Sequence, residues 1–141
     1  MSHKIDQFCE HLRVKLSNIE ITLHEIQNKI EAKAQHVDQE VQGYLDKVQK
    51  RIAQNRNKVA ASRVEMKEWM EARRAAGTEK IADLKAKHET TKLQHRADRA
   101  ERYAAAALVV ALAAADDAEE AALEAWLARH DADSAQARKA A

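Results

Sequence analysis

Seven histidines, one cysteine and 33% charged residues are the material available for chemistry. Glu20 and His24 stand four apart, as do His36 and Glu40. On a helix each pair shares one face and is adequate for a hydrogen bond or a surface metal ion. Such spacing arises by chance in a chain with seven histidines. Buried carboxylate metal sites in helical bundles use Glu-x-x-His on two helices, and that string does not occur here. His130-Asp131-Ala132-Asp133 reads as an acidic chain end rather than a metal site. Cys9 and His11 are two apart, about 200° around a helix, so they do not form a pair. There is no phosphate-binding loop, nucleophile elbow, zinc pair or dinucleotide fingerprint. No catalytic residue, no metal site and no cofactor is therefore expected.

His88 and His95 are the more informative pair. They are seven apart, with Thr91 between them and Asp98 following, so they fall on one helical seam. The plain reading is half-exposed imidazoles bonding across to a neighbouring helix. The sharper expectation is a pH-sensitive seam that packs when neutral and loosens when protonated.

The elements that must position these groups follow from composition. The 141 residues include no proline and two glycines, Gly43 and Gly77. Sheets and α/β folds need many tight turns, and turns draw on glycine and proline. Alanine fills 30 positions, which suits long helices. Leu, Ile, Val and Phe number only 26, too few for one large globular core. The expected class is all-α, a long antiparallel helical hairpin of coiled-coil type.

One apolar stripe alternates by three and four residues: Leu12, Leu16, Ile19, Leu23, Ile26, Ile30. It continues through Ala34, Val37, Val41, Leu45, Val48, Ile52, Asn55, Val59, Ser62, Met66 and Trp69. That is a heptad seam. Gly43 sits inside it and reads as a weak point within a helix. Gly77 follows Arg73 and Arg74 and precedes Thr78, the signature of a helix end and a new start. The whole chain is thus expected to form a single hairpin. Helix one covers about 3–75, the turn about 76–78 and helix two about 79–137. A turn there places Val41, Leu45 and Val48 opposite Ala113, Val109 and Ala106.

Helix two is polar along Ile81, Leu84, His88, Thr91, His95, Asp98 and Arg102. Beyond Ala104 it is apolar around much of its circumference, which a single hairpin cannot cover. Two copies joining as a four-helix bundle would cover it, through Val41, Leu45, Val48, Leu108, Val109 and Leu112. A homo-oligomer, dimer or tetramer, is expected.

The net charge of +1 conceals segregation. Residues 1–46 sum to −3, 47–102 to +8 and 103–141 to −4. The hairpin gathers the basic stretch at its turn, where Lys67, Arg73, Arg74, Lys80, Lys85 and Lys87 are the candidates for an anionic partner. Charged helix faces are most often merely solvated. The leading expectation is a non-enzymatic scaffold with a basic tip half and an acidic, apolar base half. The alternatives are a DNA- or RNA-binding module using 47–102 and an amphipathic coat for a lipid or granule surface. The longest apolar run, Ala104 to Ala115, is too short to span a membrane. With a lone cysteine, a soluble cytoplasmic protein is expected.

Overall fold

Alanine and straight-chain charged residues lose little freedom in a helix, and no proline interrupts them. The computed structural model describes residues 3–33, 35–76 and 81–140. These are all-α: α1 (His3–Glu31), α2 (Val37–Ala76), α3 (Ile81–Ala86) and α4 (Thr90–Ala140). Gly43 lies inside α2, which runs through it. Arg73 and Arg74 close α2, and Arg138 and Lys139 close α4, where cations meet the carbonyl-rich end. The expected turn at Gly77 and Thr78 falls outside the described residues, as do Ala34, Lys80 and the side chains of Ile81 and Leu84.

The expected continuous helix over 3–75 is instead two helices. The Ala32 N–H donates to the Asn28 carbonyl at 3.0 Å, and the Lys33 N–H to Ile30 at 3.1 Å. Lys33 then turns left-handed at φ 50°, and His36 does so at φ 60°. The His36 carbonyl accepts from Gln39 and Glu40, which opens α2. A second break repeats the device. The Lys87 N–H donates to Asp83 and the His88 N–H to Lys85, with His88 at φ 50°. Glycine usually occupies such a position, so a search for glycine overlooks both breaks. A non-glycine residue there costs about 1–2 kcal/mol.

The chain packs as two compact units. One contains 13–56 and 112–141. Within it α1 and α2 form an antiparallel hairpin. The Tyr44 hydroxyl donates to Glu25 at 3.2 Å, and Lys29 pairs with Glu40 at 2.7 Å. Helix α4 runs antiparallel to α2, since Arg51 reaches Asp116 while the earlier Gln49 reaches the later Glu124. The core is Ile26, Val41, Leu45, Val48 and Leu123, with Ile30, Val37, Ile52, Trp126 and Leu127 packed around it. Val41 and Leu123 are 1% and 2% exposed, and burying such a side chain stabilises by about 1.5–3 kcal/mol.

The second unit contains 1–12 and 57–111. It is thinly packed: among its described residues, the buried ones are Ser62, Ala106 and Leu108. Trp69 of α2 stacks on Tyr103 of α4 at 4.2 Å, and Lys4 of α1 pairs with Glu101 at 3.6 Å.

The register also differs from expectation. A hairpin centred on Gly77 puts Arg51 opposite Tyr103 and Trp69 opposite Lys85. Arg51 instead pairs with Asp116, and Trp69 with Tyr103. The reason is length: α2 ends at Ala76 and α4 begins only at Thr90, so the reversal is centred later in the chain.

Two substitutions check this backbone. A Cβ on Gly43 meets nothing within 4 Å, so Gly43→Ala is expected to stabilise by about 0.5–1 kcal/mol in urea unfolding. Lys33→Gly relieves a left-handed residue and is expected to raise stability by roughly 1 kcal/mol. The same change at a helical lysine such as Lys50 is expected to lower it by a similar amount.

Candidate functional site

Polar groups inside an alanine-rich bundle are conspicuous because burial without a partner is costly. Asp116 and Glu119 of α4 are buried, their side chains 4% exposed. Lys15 of α1 and Arg51 of α2 converge on them. The Arg51 Nε donates to Asp116 Oδ1 at 3.0 Å and its Nη2 to Glu119 Oε2 at 3.1 Å. The same Asp116 oxygen accepts the Lys15 ammonium. Two cations meet two carboxylates, so the set is neutral, and it joins three helices. Among the described residues no buried side-chain nitrogen or oxygen lacks a partner.

The arrangement has no free nucleophile and no imidazole. Its carboxylates are both engaged by cations, so it has the chemistry of a clamp. Among the described residues no group of three or more His, Cys, Asp or Glu is placed to hold a metal. Sequence reasoning passed over these four residues. A signal existed: Asp116 and Glu119 stand three apart within an alanine-rich stretch, and an acid on a packed face needs a cation. Asp117 and Glu120 lie beside them and point elsewhere, exposed and half-buried respectively. Only the packing selects which acids turn inward.

The residues expected at an oligomer interface have another role. Val41, Leu45, Val48 and Leu108 are buried within one chain, and Val109 and Leu112 are half-buried. The first three pack in one core with Ile26 of α1. Helix α1 folds back and covers what a second copy was expected to cover. His88 and His95 also depart from expectation. His88 sits in the break between α3 and α4, and both imidazoles are exposed. The break shifts the helical phase, so His88 and His95 do not form a packed seam.

Of the expected anion-binding residues, Lys67, Arg73, Arg74, Lys85 and Lys87 are exposed, and Lys80 is outside the described residues. Lys67 lies 4.0 Å from Glu71, and the Arg73 guanidinium lies over the Trp69 ring at 5.3 Å. The hydrogen bond to Glu40 raises the Lys29 pKa above its ordinary 10.5, against a desolvation that lowers it. That contribution to stability is present below pH 10.5 and is lost as pH rises through the higher folded value.

No protein-family model matches the chain, and neither curated proteins nor solved structures give a match. Among the described residues no helix is long and apolar enough to cross a membrane.

Removing Arg51 takes away the cation paired with the buried Glu119, and breaking a wholly buried pair costs about 3–5 kcal/mol. Arg51 is 39% exposed, so Arg51→Met is expected to destabilise by roughly 2–3 kcal/mol. Replacing the whole set, as Lys15→Met, Arg51→Met, Asp116→Leu and Glu119→Leu, is expected to recover most of that loss. Urea midpoints check both. A loss below about 1 kcal/mol in Arg51→Met would show that the clamp does not hold the helices.

Proposed function

We propose that this protein is a non-enzymatic interaction scaffold that self-associates through α1. The observation that carries the reading is a half-covered heptad seam. In α1, Leu12, Ile19 and Ile30 are half-buried and Ile26 is buried. Leu16 and Leu23, the alternate positions of the same seam, are 52% and 36% exposed. A heptad seam is a surface shaped to receive a partner helix at both of its apolar positions. The chain's own helices cover Leu12, Ile19 and Ile26, and of the other position, Leu16, Leu23 and Ile30, they cover Ile30 in part and leave the two leucines open. Val14 and Ile21, also seven apart, are 41% and 55% exposed on a different side of α1. Among the described residues, four of the six exposed large hydrophobics thus lie on one short stretch of one helix, the kind of concentration that marks interaction sites.

A second copy is the simplest partner, because the exposed leucines repeat with the same spacing in each chain and are self-complementary when two α1 helices meet. The interface so placed replaces the one expected from the core valines and leucines. The charge clamp supports the reading, since it keeps α1 in one orientation and so presents the leucines in a fixed pattern. A reducing, cytoplasmic setting belongs to the same proposal and suits the exposed Cys9 thiol.

Light scattering coupled to size exclusion tests it. The wild-type protein is expected to run as a dimer or tetramer, and Leu16→Glu/Leu23→Glu to shift it to monomer with its helical content unchanged. A wild-type monomer at every concentration would remove the proposal, as would an oligomer that the double substitution leaves intact.

A further inference from the structure

Helix α4 carries a second surface feature, within the thinly packed unit. Lys92, His95, Arg96, Arg99 and Arg102 are all exposed. Their spacings of three, four and seven place them on one side of the helix, within an arc of about 120°. Among the described residues Arg96, Arg99 and Arg102 make no ion pair, and Lys92 lies 3.2 Å from Glu89. The nearby Glu101 is half-buried and pairs with Lys4 of α1 instead. Glu89 and Asp98 are the acids at the edges of the row among the described residues. The unit as a whole has thirteen Lys/Arg against ten Asp/Glu.

The row leads to an aromatic pair. Arg96, Arg99 and Tyr103 are spaced by three and four, so Tyr103 continues the same side. Tyr103 stacks on Trp69 at 4.2 Å, and Arg73 lies over that indole at 5.3 Å. In the sequence Tyr103 follows Arg102 directly, whereas Trp69 lies far away between Lys67 and Arg73. Folding brings Trp69 of α2 to the end of the row.

We propose that the Lys92–Arg102 side of α4 binds the phosphate backbone of nucleic acid, without sequence preference. Each guanidinium presents a planar fork of donors that engages phosphate bidentately. The row is about 15 Å long, which spans four to five nucleotide steps at about 3.4 Å per step of one strand. A line of fixed cations matches a linear polyanion better than any small anion. A lipid surface is the poorer match, because Thr91, Gln94 and Asp98 flank the row where a membrane helix places bulky apolar side chains. The half-buried Trp69–Tyr103 stack at the end of the row makes Trp69 a reporter of what binds beside it. Binding at this face does not depend on self-association through α1.

Fluorescence anisotropy of the full chain with labelled duplex DNA and with single-stranded RNA, each in unrelated sequences, tests the proposal. Both are expected to bind at low salt, equally across sequences. With three to four contacts, affinity for the duplex is expected to fall with a log–log salt slope of about −3. Arg96→Gln/Arg99→Gln/Arg102→Gln is expected to weaken binding at least tenfold. The charge-matched control Lys47→Gln/Lys50→Gln/Arg129→Gln, at exposed sites in the other unit, is expected to change it less than twofold. In a Trp126→Phe background, Trp69 emission is expected to change on binding. Circular dichroism confirms that both triple variants remain helical. Absence of binding at low salt, or equal losses in the two triple variants, overturns the proposal. So does binding to polyglutamate or to phosphatidylserine vesicles without binding to nucleic acid, which would reassign the face to an acidic protein or a lipid surface.

Discussion

Two buried carboxylates govern this structure. Asp116 and Glu119 leave water on α4, and each would cost several kcal/mol if left unpaired. Lys15 from α1 and Arg51 from α2 meet them, so three helices must come together in one register for the whole set to form. A slip of one residue along α4 rotates its side chains by about 100° and separates both acids from their partners. Alanine-rich packing has no comparable selectivity. Alanine lets helices approach closely at many offsets, and one small methyl resembles the next. The clamp therefore acts mainly on specificity. An apolar replacement of similar volume packs as well, but it does not discriminate between offsets.

The two compact units divide the work. One holds the bulky core of Ile26, Val41, Leu45, Val48 and Leu123 together with the clamp. Its surface shows aliphatic residues on α1. The other buries little beyond Ser62, Ala106 and Leu108 and carries its arginines outward. The buried charges Asp116 and Glu119 are neutralised, whereas Arg96, Arg99 and Arg102 face water without an ion pair among the described residues. The surfaces that result are an exposed leucine pair on α1 and an exposed arginine row on α4.

Much of the helical pattern was legible beforehand. The seam through Val41, Leu45, Val48, Ile52, Asn55, Val59, Ser62, Met66 and Trp69 is buried or half-buried throughout α2. Gly43 was readable as an interior residue because a lone glycine lowers helix stability without ending the helix. The breaks at Lys33 and His88 were not legible. Lysine and histidine are ordinary helix residues, and nothing in their type announces a left-handed φ. The arginine row and Tyr103 at its end are adjacent in the sequence, but the arrival of Trp69 beside them was not legible, since it lies far away in the chain.

By itself, then, the sequence determined the all-α class and which face of α2 turns inward. Both depend on local quantities: bonds from each N–H to a carbonyl four residues back, and the 3.6-residue period of apolar side chains. Only the tertiary structure decided where the helices break, which residues meet across them, and which acids are buried. Those choices rest on contacts between distant segments. The many alanines make the alternatives nearly equal in packing energy, and the pairing of Lys15 and Arg51 with Asp116 and Glu119 separates them.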